Sequence, residues 1–179
     1  MSIETLAKQG RTQVFTGLAG VEAVKLKKLR NEQLKQCFSH FDEQRFRMEF
    51  VARVRGMEFY NDAASRSVNA TWYALQSMEG SLLWIVNGDD DRAEYAKLVP
   101  LAKKKVSMMI CVGDNTHRLH EVFGGSVGTI VDAPSVTKAV HVAYCSNLDD
   151  VKVLFSPAGE NGISVDEEGS RFTMEVNEL

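Results

Sequence analysis

The stretch Asn61–Leu75, NDAASRSVNATWYAL, has the composition of a polar active-site loop followed by a helix. Asp62 could bind ribose hydroxyls through its carboxylate, and the guanidinium of Arg47, upstream, could bind phosphate oxygens. The positions where chemistry would need a cation or a nucleophile hold Ala63 and Ala64 instead. From spacing alone, an ordinary surface pair is the better interpretation of Arg47 and Asp62.

Two other clusters contain side chains that bind metals. Asp89–Asp91 offers three carboxylates of the kind that hold Mg²⁺, placed between a strand and a helix. His117 and His120 share one helical face, with Asp114 just upstream. We favour simpler interpretations, in which the aspartates complement the positive N-terminus of a helix and the histidines lie on a solvated helix surface. No metal site is therefore predicted.

Short catalytic motifs do not fit the chain. Gly124–Gly128, GGSVG, matches the letters of the GxSxG motif, which needs a strand before the serine and a helix after it. Here a helix precedes and a strand follows, so we predict a turn. The sequence contains no GxxxxGK[ST] phosphate loop and no GxGxxG after a strand. No catalytic residue is predicted.

Length and composition restrict the class of protein. The 179 residues suffice for about one domain with a buried core. A net charge of −3 argues against a nucleic-acid partner, and the lack of an apolar run of about 18 residues argues against a membrane partner. The polar N-terminus does not resemble a secretion signal, and Cys37, Cys111 and Cys145 are interpreted as free thiols. These features predict a cytoplasmic protein.

The elements that must position these residues follow from hydrophobic periodicity. Helical spacing predicts a helix over Val14–Leu29 and a short second one from Asn31. A β-hairpin should follow, with its turn at Arg55-Gly56. Its first strand should alternate at four positions: Phe46, Met48, Phe50 and Val54.

Beyond the hairpin, apolar strands alternate with amphipathic helices. Ser67 should cap a helix that buries Val68, Trp72 and Leu75. The apolar strands are SLLWIV, VSMMICV, GTIVDA and VKVLFSP. Between them, helices are predicted over Arg92–Lys104, over His117–Phe123 and from Pro134. The tail, Glu160–Leu179, fits either a hairpin or a helix.

This order predicts an α/β, Rossmann-like, three-layer domain, preceded by the hairpin and an N-terminal helical segment. The sheet should be mostly parallel and contain about six strands. Ligands of such sheets bind beyond the carboxyl ends of the strands. Five loops lie there: Asn61–Ser67, Asn87–Asp91, Gly113–Asn115, Asp132–Pro134 and Ser156–Asn161.

The segments FRMEFVARVRGMEFYNDAASRSVNATWYALQSM, LLWIVNGDDDRAEYAKL and VLFSPA closely resemble the C-terminal domain of the Mur ligases, nearest to the type that adds D-glutamate. The resemblance covers about residues 14 to 158. It implies that residues 1–42 correspond to the end of the family's central domain and residues 43–179 to its Rossmann-like C-terminal domain. It further implies that ATP and Mg²⁺ are held mainly by the central domain, while the C-terminal domain binds the incoming amino acid and closes over ATP.

The resemblance is incomplete at the polar motifs. The family pattern H-R-x-E appears as Phe46–Glu49, which lacks the histidine but keeps Arg47. The pattern N-D-S-K-A-T-N appears as Asn61–Ser67, with Ala64 in place of the lysine and Arg66 at the threonine position.

Two further motifs are altered. The pattern G-G-x-D-K-G appears as Asn87–Arg92, with Asp91 in place of the lysine, and the C-A-S-F-D expected after Ser156–Ala158 is replaced by Gly159–Gly162. The resemblance implies nucleotide-binding candidates at Arg47, Asn61 and Asp62, and substrate-binding candidates at Arg66, Asp91 and Ser156. Because an aspartate replaces a lysine, the site should repel a dicarboxylate such as D-glutamate.

We therefore predict a stand-alone, non-catalytic relative of the Mur ligase C-terminal domain. Its inherited crevice would bind a nucleotide, a peptidoglycan precursor or a protein partner, and no cofactor is assigned to it. The alternative is the C-terminal domain or a component of an ADP-forming acid–amino-acid ligase, for which ATP and Mg²⁺ would be the cofactors. A second alternative is a protein-interaction module without a small ligand.

Overall fold

The computed structural model describes residues 45–90, 92–146 and 148–179, which fall within the unit Arg45–Leu179. The predicted helices over Val14–Leu29 and from Asn31, and the predicted segment 1–42, lie outside the described residues. The described part of the chain contains six strands: β1 (Glu49–Val54), β2 (Met57–Asn61), β3 (Leu82–Asn87), β4 (Val106–Val112), β5 (Thr129–Ala133) and β6 (Lys152–Phe155). The described residues contain five α-helices: α1 (Val68–Ser77), α2 (Val99–Lys105), α3 (His117–Phe123), α4 (Val136–Tyr144) and α5 (Val165–Asn177).

The strands form one sheet in the order β1-β2-β6-β3-β4-β5. β1 and β2 are antiparallel, and every other neighbouring pair is parallel. β3 is buried along its whole length, as expected for a central strand covered on both faces. The prediction of a mostly parallel, six-stranded α/β domain is confirmed.

The hairpin is confirmed at its turn and corrected at its first strand. Arg55 (φ 48°) and Gly56 (φ 83°) both have positive φ, the geometry of a two-residue turn that matches the twist of the strands. β1, however, begins only at Glu49. Phe46 (φ 58°) and Met48 (φ 49°) precede it in the left-handed region, so the alternation predicted for them is wrong.

For α1, the predicted cap is confirmed, but one of the three residues predicted to be buried is not. The hydroxyl of Ser67 accepts a hydrogen bond from the backbone N–H of Ala70 at 3.2 Å. Val68 and Leu75 are buried, whereas Trp72 is 36% exposed. The core is contacted instead by Thr71 and by Ala74, because the buried stripe of the helix is turned toward those positions.

The helix predicted over Arg92–Lys104 begins later than expected. A 3₁₀ turn covers Tyr95–Leu98, and α2 then runs to Lys105 with a proline in its first turn. The inward face is nevertheless the predicted one: Tyr95, Leu98 and Ala102 are all buried.

The tail of the chain is a helix rather than a hairpin. Ser164 accepts a hydrogen bond from the backbone N–H of Glu167 at 3.1 Å, which starts α5. Its first turn carries acidic residues, which favour the positive end of a helix. Phe172 and Val176 then anchor the helix in the core.

Helices cover both faces of the sheet and enclose two cores. One core lies under α4 and α5 and includes Phe155 and Phe172, whose rings stack with centroids 5.2 Å apart. The other lies under α1, α2 and α3 and includes Trp84 and Phe123. Among the described residues, no helix is long and apolar enough to cross a membrane.

Candidate functional site

The polar loops that follow β2, β3 and β6 meet at the carboxyl edge of the sheet. β6 lies between β2 and β3, so residues that are distant in sequence become neighbours. The structure brings together Asn61, Asp62, Arg66 and Ser156 of the predicted site residues. The backbone N–H of Ala158 donates to the carbonyl of Ser65 at 3.1 Å, which joins the first and last of these loops.

Asp62 is buried, with 1% exposure, and both of its carboxylate oxygens are hydrogen-bonded. Oδ1 accepts from the backbone N–H of Met48 at 3.2 Å, and Oδ2 accepts from the hydroxyl of Ser156 at 2.8 Å. Burial raises the pKa of Asp62 above its ordinary value, although hydrogen bonds from Ser65, Ser156 and Met48 oppose the shift. A ribose could reach this carboxylate only after the Met48 segment moved.

Ser156 connects Asp62 to the core beneath it. Its side chain is fully buried and also lies 2.8 Å from the hydroxyl of Thr71. Its backbone carbonyl accepts a hydrogen bond from the indole N–H of Trp84 at 2.9 Å. The polar atoms of Ser156 are therefore engaged within the domain, and its hydroxyl orients Asp62.

Asn61 fastens the loop to α5. Its amide nitrogen donates to the carbonyl of Gly169 at 2.8 Å and to the hydroxyl of Thr173 at 3.0 Å. Its amide oxygen accepts from the backbone N–H of Ala63 at 3.2 Å. Because the side chain is fully buried with its donors and acceptor engaged, Asn61 fixes the loop in place.

Arg66 forms a buried ion pair with Glu168 of α5. Its guanidinium lies 2.8 Å from the Glu168 carboxylate and donates to the Asn161 amide oxygen at 2.8 Å and to the Ala63 carbonyl at 3.1 Å. The exposed Glu160, at 3.8 Å, adds a second negative charge among the residues that the structure describes. Burial raises the pKa of Glu168, while Asn161 and Arg66 oppose the shift. The charge of Arg66 is thus neutralised inside the domain.

Of the two remaining predicted residues, Arg47 and Asp91, the structure describes only the first. Arg47 is exposed, and its positive charge acts to lower the pKa of Asp62, which places it beside the buried carboxylate. Within the described residues it makes no hydrogen bond. Asp91 lies outside the described residues.

Residues 45–48, which we call the strap, cover the Asp62 carboxylate. Phe46 is 2% exposed, and its carbonyl accepts a hydrogen bond from the backbone N–H of Ala64 at 3.0 Å. The phenyl ring rests on Gly169 of α5, where a Cβ atom would overlap the ring. The strap is held through this contact and through the Met48–Asp62 hydrogen bond.

The aspartates after β3 hold neighbouring loops together. Asp89 accepts from the backbone N–H of Asn115 at 3.2 Å, and Asp90 accepts from those of Arg92 (2.9 Å) and Glu160 (3.2 Å). Asp89 lies so close to Gly113 (φ 113°) that a Cβ atom there would overlap it. Because these carboxylates bind backbone groups and do not converge, the described residues do not fit a Mg²⁺ site at this loop.

Comparison with known proteins identifies relatives of this chain among the Mur ligases. No family model matches the chain. UDP-N-acetylmuramoylalanine–D-glutamate ligase of Christiangramia forsetii is 33% identical over 88% of this chain and 36% of the relative. The ligase of the same name from Bacteroides fragilis is 32% identical over 100% of this chain and 41% of the relative. The chain is a homologue of the Mur ligases.

Solved structures agree at the level of the fold. A murein peptide ligase from Psychrobacter arcticus has a TM-score of 0.50 and 14% identity, covering 75% of this chain and 30% of that one. UDP-N-acetylmuramate–alanine ligase from Thermotoga maritima has a TM-score of 0.50 and 16% identity, covering 74% and 30%. The described residues form a Mur ligase C-terminal-like domain, and the predicted resemblance is confirmed. The chain spans 36% to 41% of the length of the two relatives named above.

A cavity of about 270 Å³ opens beside the loops of this Mur ligase-like domain, between the ends of β4 and β5 and the start of α5. Three carboxylates line it, from Asp89, Asp114 and Glu168, and Arg171 supplies the positive charge. Even when Glu168 is set aside because Arg66 pairs with it, two carboxylates face one guanidinium, and that guanidinium is itself paired with Glu167. An anionic ligand would meet net repulsion there.

Sequence reasoning missed Glu168 and Asn161, which together engage Arg66. The pairing joins residues 102 positions apart, so no local spacing reveals it. One signal was available, because Ser164 followed by Glu167 is a capping-box pattern. It would have identified the helix that carries Glu168, although not the ion pair.

Proposed function

We propose that this Mur ligase-like domain takes part in peptidoglycan synthesis without itself binding D-glutamate. The observation that carries the proposal is the buried pair of Arg66 and Glu168. The guanidinium in the inherited substrate loop is already neutralised, with a side chain only 8% exposed. D-glutamate brings two carboxylates, and binding them requires free donors or cations.

The surrounding charges support the same conclusion. Ala64 and Asp91 occupy positions where the family pattern has lysines, so two positive charges are absent from the sequence. The adjoining cavity is lined by more carboxylates than cations. Placing a dicarboxylate among like charges costs several kcal/mol. The described residues therefore do not form a site that could ligate D-glutamate.

We assign Arg47 as the contact for the phosphate of a nucleotide or of a nucleotide-linked peptidoglycan precursor. Of the predicted site residues that the structure describes, Arg47 is the one that is exposed. Asn61, Asp62 and Ser156 support it from below by fixing the loop and the strap. A guanidinium suits phosphate oxygens because it can donate two parallel hydrogen bonds.

Isothermal titration calorimetry of the full chain tests this proposal. D-glutamate at millimolar concentration should give no saturable heat, whereas UDP-N-acetylmuramoyl-L-alanine or ADP should bind weakly and lose affinity in Arg47→Ala. Arg53→Ala, an exposed arginine on β1, is the matched control and should bind like the wild type. Saturable uptake of D-glutamate by the wild type would overturn the proposal.

A second candidate function is favoured by the 32–33% identity to D-glutamate ligases over nearly the whole chain. In this case the domain would be the C-terminal module of an ADP-forming ligase, with ATP and Mg²⁺ held by a central domain. A turnover assay on the complete protein that carries this sequence decides between the two. ADP release that depends on both D-glutamate and the nucleotide-linked acceptor would support the ligase, and its absence would support the non-catalytic domain.

A further inference from the structure

A second polar cluster lies on β4, β5 and α3, apart from the Asp62 and Arg66 network. It consists of Cys111, His120 and Asp132, whose potential ligand atoms all lie within 4.8 Å of one another. The Nε2 atom of His120 is 2.8 Å from Oδ1 of Asp132. Within residues 45–90, 92–146 and 148–179, no other group of three or more such side chains comes this close.

The fold places these side chains together for definite reasons. Cys111 and Asp132 are register partners on neighbouring parallel strands, so their side chains leave the sheet on the same face. That face is covered by α3, where Leu119 and Phe123 pack into the core. His120 follows Leu119 and is turned toward the rim, where it meets Asp132.

The ligand set indicates the class of metal. A thiolate, an imidazole and a carboxylate form a mixed sulfur, nitrogen and oxygen set, which suits Zn²⁺ and the related Co²⁺ better than Mg²⁺ or Ca²⁺. Three protein ligands leave one tetrahedral position for water. We propose that Cys111, His120 and Asp132 bind a single Zn²⁺ ion at the edge of β5.

Access to the site is from one side. The side chains of His120 and Asp132 are 39% and 55% exposed, whereas Cys111 is fully buried beneath them. An incoming hydrated ion would meet the imidazole and the carboxylate first and replace the hydrogen bond between them. It would then bind the sulfur from above.

The binding step conserves atoms and charge without any redox change. The S–H bond of Cys111 breaks, its proton passes to solvent, and the sulfur electron pair forms the metal–sulfur bond. In the metal-free state Nε2 of His120 carries the proton of its hydrogen bond to Asp132. That proton passes to solvent, and Nδ1 holds the remaining proton of the neutral ring. The freed pair of Nε2 and a pair from an oxygen of Asp132 then replace two water molecules of the hydrated ion. One water stays on the open position.

Without a metal, the cluster would consist of an exposed His–Asp pair above an inert buried thiol. Such a pair contributes little to stability, and a buried cysteine behaves as a small apolar side chain. The two states differ in a property that spectroscopy measures directly, which is whether the sulfur of Cys111 is bonded to the metal.

Co²⁺ titration of the full chain in a Cys37→Ser, Cys145→Ser background tests the proposal, because Cys111 is then the only thiol. About one equivalent of Co²⁺ should produce the near-ultraviolet thiolate-to-cobalt charge-transfer absorption and the visible bands of a tetrahedral site, and Zn²⁺ should abolish both. Cys111→Ser should remove the charge-transfer absorption, and His120→Asn should weaken binding by about tenfold or more.

Two controls keep the result decisive. His117→Asn, on the same helix but outside the cluster, should bind Co²⁺ like the background protein. Circular dichroism establishes that each variant is folded, and at equal concentration Zn²⁺ should raise the melting temperature of the background protein more than that of His120→Asn. If saturating Co²⁺ gives no charge-transfer absorption in the folded background protein, or if that absorption persists in Cys111→Ser, the proposal is wrong. The outcome does not depend on whether the domain binds D-glutamate.

Discussion

The guanidinium of Arg66 lies 2.8 Å from the carboxylate of Glu168, and the two side chains are only 8% and 4% exposed. The pair joins the loop after β2 to α5, across 102 positions of sequence. Asn161 bonds to both partners and closes the network. A loop that would otherwise present a cation to a ligand has thus become part of the packing between the sheet and the last helix.

Removing one member of this pair should strongly destabilise the domain. Arg66→Met would leave Glu168 buried without its counter-ion, and such losses cost about 3–5 kcal/mol. The double variant Arg66→Met, Glu168→Met should be far closer to the wild type, because an apolar pair leaves no buried charge behind. Urea-induced unfolding of the three proteins measures both effects.

The neighbouring pair Arg171–Glu167 is the matched control, because it is exposed and lies one turn apart on α5. Arg171→Met should cost less than about 0.5 kcal/mol. If Arg66→Met cost no more than Arg171→Met, the buried pair would not have the structural role described here.

Asp62 should make the stability of the domain depend on pH. Burial raises its pKa above the ordinary value of 3.8, so the folded state favours the protonated carboxyl. The stability gained from protonation is complete below about pH 3.8 and is lost as pH rises through the folded-state pKa. Asp62→Asn has no carboxyl to ionise, so it does not lose this stability as pH rises. Its amide can still accept a hydrogen bond from the backbone N–H of Met48 and donate one to the hydroxyl of Ser156.

The difference in unfolding free energy between Asp62→Asn and the wild type should therefore shift in favour of the variant as pH rises from about 3 to 7. Urea unfolding at several pH values measures this difference. Parallel profiles for the two proteins would show that Asp62 does not carry the predicted pH dependence.

The sequence was sufficient for most of the sheet and for the helix that Pro134 precedes. Continuous apolar runs identified β3 and β4, because a strand buried on both faces has no polar alternation. The turn at Arg55-Gly56 was also identifiable, since glycine accepts positive φ readily. These features depend on a few adjacent residues, and local patterns record them.

The candidate site could be predicted only in part. The loops were located correctly because the carboxyl ends of parallel strands share one edge. The state of each side chain does not follow from local patterns, because Arg66 is neutralised by Glu168, and the sequence of the tail fits either a hairpin or a helix. The strap differs from the predicted strand for a similar reason: Phe46 and Met48 alternate like strand residues, but their backbone follows contacts with α5 and Asp62.

The contact between Phe46 and Gly169 should reverse the usual effect of replacing glycine in a helix. Gly169→Ala would ordinarily stabilise a helix interior by about 0.5–1 kcal/mol. Here the added Cβ would overlap the Phe46 ring, so the substitution should destabilise the domain and loosen the strap. Hydrogen exchange of residues 45–48, together with urea unfolding, measures both changes.

Phe46→Ala provides the control for this prediction. It removes the ring, so Gly169→Ala added to that background should be neutral or stabilising, even though Phe46→Ala alone costs about 3–5 kcal/mol. A double-mutant cycle should thus show coupling between the two positions. Additive effects would mean that the ring does not rest on Gly169.

The two tryptophans should report on opposite environments. Trp84 is fully buried, donates to the carbonyl of Ser156 at 2.9 Å and lies edge-on to Phe123. Trp72 is 36% exposed on α1, beside the exposed Tyr73. Acrylamide should therefore quench the fluorescence of Trp84→Phe, in which only Trp72 emits, much more than that of Trp72→Phe. Equal quenching of the two variants would contradict the observed orientation of α1.

The same two variants should differ in their free energy of unfolding. Trp72→Phe should change it by less than about 0.5 kcal/mol, whereas Trp84→Phe should lower it by about 1–3 kcal/mol because it leaves the Ser156 carbonyl without its donor.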